Sequence, residues 1–403
     1  MYSKKTTQEL LNNFSSREGW MPTYHTIEEV DEFKAYVASI VNIESNSRSS
    51  TITLSKAISP AKQRDISKWI VNEQVLCTAD YSYWESRYAY VRNEVGEMVK
   101  FKNLASQMMM DSIIADLDEK GLSKDLLILG SRQSGTSTKF TLMCIHRALF
   151  SPNSEVLLYS ASPEINEIIG KVTDDVYNHC PWWLVPAKLP KNKIANHSSI
   201  SIKSGSNIAQ GGTPNCVFIS NAEEFKNPVR TFEDGLFRAV FPSKNSMMII
   251  HGNTPQENSW LRNIWNYSKE YYPKGMARFM PVFIPWYAAS DIYPRKEWIV
   301  RFPVPPKWIP AKETKDHAIL CEAYVGKTPI LSKHLGKAWK MSKEQKWYWE
   351  YGYNYAIKIN ALDNFLSQMA ADDNDHLDNS KVDEEDVDLD KLFPEASKTQ
   401  KKL

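Results

Sequence analysis

The sequence predicts an α/β fold, a mostly parallel sheet flanked by helices, with a small helical attachment at its N-terminal side. Two observations predict it. Apolar runs short enough for buried strands recur along the chain: Leu126-Leu127-Ile128-Leu129, Val156-Leu157-Leu158, Cys216-Val217-Phe218-Ile219 and Met247-Met248-Ile249-Ile250. Stretches long enough for helices separate them, and that alternation is the pattern of a parallel sheet. The first run also passes straight into a glycine-bounded loop, Gly130 to Gly135, with a helix-like segment after it. At 403 residues and 42% hydrophobic content the chain can bury the core such a sheet needs.

Residues 1–75 read as a helical attachment and linker. Thr26-Ile27-Glu28-Glu29 is a capping box, in which two side chains satisfy backbone N–H groups reciprocally, and it opens a helix to about Val41. Ser45–Ser59 is rich in Ser and Thr and reads as a linker. Ser59-Pro60 starts an amphipathic helix with Ile66, Trp69 and Ile70 on one face. Residues 76–290 hold the alternating strands and helices. Residues 291–370 begin Pro-rich (Pro303, Pro305, Pro306, Pro310) and continue as helix. Residues 371–403 carry 11 acidic and 5 basic side chains, a net of −6, and read as a disordered acidic tail.

The loop Gly130-Ser131-Arg132-Gln133-Ser134-Gly135-Thr136-Ser137-Thr138 carries the clearest chemistry. Strand, glycine-bounded loop, then Ser/Thr opening a helix is the phosphate-cradling geometry of P-loop NTPases, RecA/ASCE-like in their parallel sheet. The spacing G-x-x-x-x-G-x-S matches a Walker A motif, except that Thr136 stands where lysine is expected. A cation is still needed against the distal phosphates. Arg132 is the only one inside the loop, and Lys139 is the next candidate. The amides of Ser134 to Thr136 are candidates for the phosphate contacts, Ser137 for the Mg²⁺ ligand, and Thr138 for an assisting role.

A displaced arginine in a loop reading S-R-Q-x-G-x-S-T resembles the variant Walker A of phage large terminases, the ATPases that package viral DNA. Further segments follow in terminase order. Gln107 stands about 25 residues before the loop, where terminases resemble helicases in carrying an adenine-reading Gln. Pro181-Trp182-Trp183-Leu184-Val185-Pro186 and Lys203-Ser204-Gly205-Ser206 follow the second strand. His251-Gly252-Asn253-Thr254-Pro255 ends a later strand, as the family's coupling motif does, and His251, Asn253 and Thr254 could reach a phosphate or its attacking water. Arg278 to Tyr287 and Met341 to Tyr348 resemble the strand and helix that lead out of the family's ATPase core. The resemblance runs from about residue 80 to about residue 370.

One segment departs from the family. A Walker B strand ends in an Asp that orients Mg²⁺ and a Glu that activates water. Here Cys216–Ile219 is followed by Ser220-Asn221-Ala222-Glu223-Glu224. Either the two carboxylates are lost, or a bulge brings Glu223 or Glu224 into place.

The resemblance implies an ATPase using ATP and Mg²⁺ and acting on double-stranded DNA. The implied partners are a portal protein, a small terminase subunit and further copies of the chain in a ring. An arginine from a neighbouring copy would complete the site, with Arg230 and Arg238 as candidates. Host cytoplasm, docked transiently at the procapsid portal, is the implied location. A full large terminase continues into an RNase H-like nuclease. No strand pattern after Gln368 could hold paired metal-binding carboxylates, so a separate polypeptide carries that activity or the sequence stops at the domain boundary. The net charge of +1 leaves +7 on residues 1–370, which suits sequence-blind contact with DNA phosphates.

Two other classes remain open: another P-loop protein, such as a helicase-like translocase or a small-molecule kinase, and a nucleotide-binding structural subunit without turnover. Too few residues follow Ser290 for the second RecA-like domain a helicase needs. The five cysteines lack C-x-x-C spacing and read as reduced core residues. Neither a signal peptide nor an apolar run of roughly 18 residues is present, so export and membrane spanning are not expected.

Overall fold

The computed structural model describes residues 3–45, 50–54, 58–93, 95–131, 134–185, 188–189, 193–194, 196–205, 213–253, 259–289 and 293–373. Three candidate site residues, Arg132, Gln133 and Thr254, and the acidic tail beyond Asp373 lie outside the described residues.

The N-terminal part contains helices α1 (Lys4–Glu18) and α2 (Ile27–Ile40), strands β1 (Val41–Ser45) and β2 (Ser50–Leu54), and helices α3 (Pro60–Ala79) and α4 (Tyr81–Tyr88). The capping box at Thr26 is formed, with both reciprocal hydrogen bonds present. The stretch expected as linker differs: β1 and β2 pair antiparallel with Ile43 opposite Ile52. The β-branched residues Thr51, Ile52 and Thr53 favour that pairing over coil. Leu11, Val30, Val37 and Leu76 enter the same apolar core as the sheet residues Leu126 and Ile128, so these helices share the main core.

A second hairpin, β3 (Tyr90–Arg92) and β4 (Met98–Lys100), leads to α5 (Ala105–Glu119). There follow β5 (Lys124–Gly130), α6 (Thr136–Phe150), β6 (Glu155–Ser160), α7 (Pro163–His179), β7 (Lys188–Leu189), β8 (Lys193–Ile194), β9 (Ser199–Ser204) and β10 (Cys216–Ser220). A π-helical stretch, Val229–Leu236, runs into α8 (Phe237–Ala239), then come β11 (Met247–Gly252), α9 (Trp260–Tyr271) and β12 (Met280–Ile284). Helices α10 (Lys296–Arg301), α11 (Lys312–Lys327), α12 (Pro329–Leu335), α13 (Lys343–Lys358) and α14 (Leu362–Gln368) complete the described chain.

The central sheet has the order β12-β5-β11-β10-β6-β9-β8-β7. Its first six strands are mutually parallel, and β8 and β7 extend it antiparallel. The α/β fold with a mostly parallel sheet is thus the observed one. Its strands read as unbroken apolar runs because helices cover both faces. Leu126 and Ile128 face a core containing Phe140 and Ile145 of α6, while Leu127 and Leu129 face Trp260, Ile264 and Trp265 of α9. Pro281 is tolerated because β12 is an edge strand. This order sets the C-terminal end of β5 between those of β12 and β11, with β10 next, and in open α/β sheets ligands bind at such strand ends.

Candidate functional site

The loop after β5 is braced from behind. Gly135 takes a left-handed backbone, φ 73°, and a Cβ there would sit 2.4 Å from the Gln107 amide nitrogen, so only glycine fits. Gln107 is buried in the first turn of α5 and is engaged at both ends. Its Nε2 donates to the Gly135 carbonyl at 2.8 Å, and its Oε1 accepts from the Leu104 N–H at 2.8 Å. The neighbouring Ser106 hydroxyl donates to the Ser134 carbonyl at 2.9 Å. Ser131 donates its N–H to Ile284 of β12 at 3.2 Å, fixing the loop's entry beside Gly130. The adenine-reading role expected of Gln107 therefore has to share the side chain with this brace, which leaves one amide hydrogen and one lone pair uncommitted. Ser106 was not singled out by the sequence; its place next to Gln107 was the only available signal.

Beyond Gly135 the helix α6 begins, and its first-turn N–H groups fall short of the intrahelical ladder. The Ser134 and Thr136 hydroxyls bond each other at 2.7 Å. Ser137 reaches across to the end of β10, its Oγ 3.2 Å from that of Ser220. The residue facing Ser137 is thus Ser220 and not a carboxylate. Asn221 adopts a left-handed φ of 56° and accepts from the Ser220 hydroxyl at 2.8 Å. Its amide donates to Glu224 at 3.1 Å.

Glu223 and Glu224, equal candidates in the sequence, occupy different surroundings. Glu224 is exposed. Glu223 is half-buried beside β11, accepts from Asn253 on one oxygen, and lies close enough to Gly252 that a Cβ there would approach its Oε2 to 2.8 Å. That second oxygen has no partner, and burial raises the carboxyl above its ordinary pKa. Nothing in the sequence signalled the Glu223–Asn253 contact, because the two are 30 positions apart.

His251 is 8% exposed, and neither ring nitrogen has a partner. Strand alternation from Ile249 puts it on the α6 face of the sheet, the face Ser220 shares with Phe218. Burial lowers its pKa to about 4, which keeps the ring neutral at pH 7. Ser131 Oγ is likewise buried and unpartnered.

Lys139, the second cation candidate, is turned away. It is fully buried beneath the loop, bonded to both Glu85 oxygens at 2.6 and 2.8 Å and to Asn103 and Asp111 at 2.8 Å each. It cannot reach a phosphate in the loop while it holds these four contacts, and the expectation that it could serve as the loop's cation is corrected on that ground. Thr138, half-buried, lines a cleft of about 1150 Å³ with Gln107 and Gly135. The cleft opens between the β3–β4 hairpin, α7 and the start of α10, with apolar Val91, Val99 and Val172 and basic Lys102, Lys171 and Lys296 on its walls. Arg238 is exposed and weakly paired with Asp234 at 3.4 Å, and Arg230 is exposed. All five cysteines are buried thiols.

No family model and no curated protein matches the sequence. Among solved structures, the chain is similar to the large terminase of bacteriophage HK97, at 12% identity and a TM-score of 0.44, over 71% of this chain and 53% of that one. It is also similar to the ATPase domain of the large terminase of Thermus phage P74-26, at 18% identity and a TM-score of 0.35, over 51% of this chain and 90% of that one. The chain thus spans about half the length of the HK97 protein.

Proposed function

We propose that the chain is a P-loop ATPase of large-terminase type that powers translocation of viral double-stranded DNA into a procapsid. One observation carries the nucleotide reading. Buried polar atoms without partners, namely Ser131 Oγ, both His251 ring nitrogens and Glu223 Oε2, gather at the ends of β5, β10 and β11 around the loop that opens α6. Buried polar groups are rarely left unpaired, and a site that receives phosphates and a water accounts for all of them at once. The packaging reading is supported by the order of the sequence segments that resemble large terminases.

In this reading the amides of Ser134 to Thr136 and the N-terminus of α6 hold the phosphates, and the base lies toward the cleft lined by Gln107 and Thr138. Arg132 supplies the cation. Glu223, tied to Asn253, polarises the attacking water, while His251 and the segment through Thr254 sense the terminal phosphate. The partners are DNA, a portal protein, a small terminase subunit and further copies of the chain in a ring, in the host cytoplasm. Among the described residues no helix is long and apolar enough to cross a membrane.

A second reading, a nucleotide-binding subunit with little turnover, is favoured by Ser220 standing where a carboxylate would face Ser137. Measuring ATP binding and ATP hydrolysis on one sample, with and without duplex DNA, separates the two. Binding with DNA-stimulated hydrolysis is expected. Binding with no hydrolysis under any of these conditions selects the second reading, and no binding removes both.

A further inference from the structure

The donor set facing Ser137 does not fit a divalent ion held by the protein. A magnesium ion demands oxygen ligands at about 2.0–2.1 Å in near-octahedral geometry and is drawn to carboxylates. Here two neutral hydroxyls, Ser137 and Ser220, face each other and share a hydrogen bond, and Ser220 is further committed to Asn221. Neither of the two carboxylates that follow bonds to Ser137 or Ser220. Glu223 turns to Gly252 on β11 and to Asn253 just after it, and Glu224 is exposed and bonded to the Asn221 amide. Among the described residues no group of three His, Cys, Asp or Glu is placed to hold a metal.

We propose that the described residues around Ser137 contribute no charged ligand to a divalent ion when nucleotide binds, so that metal enters the site only as the nucleotide's own counter-ion. The proposal rests on the nucleotide reading above. Its consequence follows from linkage: if the protein adds nothing to the metal's affinity, the metal adds nothing to the protein's affinity for nucleotide.

Calorimetric titration of the chain with ATP, once in excess Mg²⁺ and once in EDTA, tests it. The two dissociation constants are expected to agree within about fivefold, whereas a protein-held ion would separate them by more than that. A larger loss in EDTA overturns the proposal while leaving the nucleotide reading intact. Failure to bind in both buffers instead removes the nucleotide reading, and the proposal with it. Ser220→Asp places a carboxylate opposite Ser137 and should create the missing dependence, with a ratio between the buffers of about tenfold or more. A folded Ser220→Asp chain that stays indifferent to Mg²⁺ overturns the assignment of this position. Should that variant not fold, Mn²⁺ resonance on the parent decides. Mn²⁺ is expected to bind the chain–ATP mixture no more tightly than ATP alone, and tighter binding overturns the proposal.

Discussion

Gln107 ties the loop at Gly135 to the start of α5, and Glu223 ties the turn after β10 to Asn253 after β11, and that double duty makes their roles separable. Because Gln107 Nε2 holds the Gly135 carbonyl, Gln107→Ala should weaken binding of inorganic tripolyphosphate as well as of ATP. A side chain that only read adenine would leave tripolyphosphate untouched, so unchanged tripolyphosphate affinity would refute the brace. Glu223 is held by Asn253 with one oxygen free, as a general base needs to be. Glu223→Gln should preserve ATP binding and lower turnover by about 10²–10⁴-fold, the usual cost of losing a positioned base. Parent-like hydrolysis would place the water-activating group elsewhere. Arg132→Ala should weaken ATP binding by roughly 10- to 150-fold, the loss of a charge-assisted contact, and AMP binding far less. Equal losses for the two nucleotides would mean that Arg132 does not face the distal phosphates.

At the scale of elements, the buried Lys139 ties three helices together, α4 through Glu85, α5 through Asp111 and its own α6, and adds Asn103 ahead of α5. Removing one partner from such a cluster leaves buried charges uncompensated, which typically costs about 3–5 kcal/mol. Lys139→Met should therefore lower the denaturation midpoint strongly, while the chain that remains folded binds ATP as the parent does. The reverse outcome, intact stability with lost ATP binding, would show that Lys139 serves the phosphates. Asn103 and Gln107 flank Leu104 at the start of α5, so the brace on Gly135 and the anchor on Lys139 act on one segment.

For the whole molecule, pH reports how neutral groups are stored in the core. His251 has its pKa lowered to about 4 and His146 to about 3, both chiefly by burial. The unfolded chain binds protons at these positions below about 6.5, where the native one does not, so their contribution to stability falls as pH drops through that value. The raised carboxyl of Glu223 acts in the opposite sense. For His251 alone the loss between pH 7 and pH 5 is about 2 kcal/mol, at about 1.4 kcal/mol per unit. Chemical denaturation at the two pH values should show that much less acid sensitivity in His251→Gln than in the parent, and identical sensitivity would mean that His251 is not held neutral.

The sequence by itself determined the layered α/β architecture, the place of the loop at a strand's end, the capping box at Thr26 and the burial of the cysteines. These follow from local periodicity and from residues whose backbone preferences act over a few positions, such as the apolar run before Gly130 and Pro60 at the start of α3. Only the tertiary structure decided which side chains face one another. Ser220 was one of several ways to align the strand after Cys216, until the sheet set it across from Ser137 on α6, 83 positions away. Glu223 and Glu224 are adjacent and chemically alike, yet the turn from Asn221 buries one against β11 and exposes the other. Lys139 follows the loop directly, yet the helix turn directs it into a buried carboxylate pair from α4 and α5. Long-range electrostatics and sheet register fix such choices, and neither leaves a local pattern in the chain.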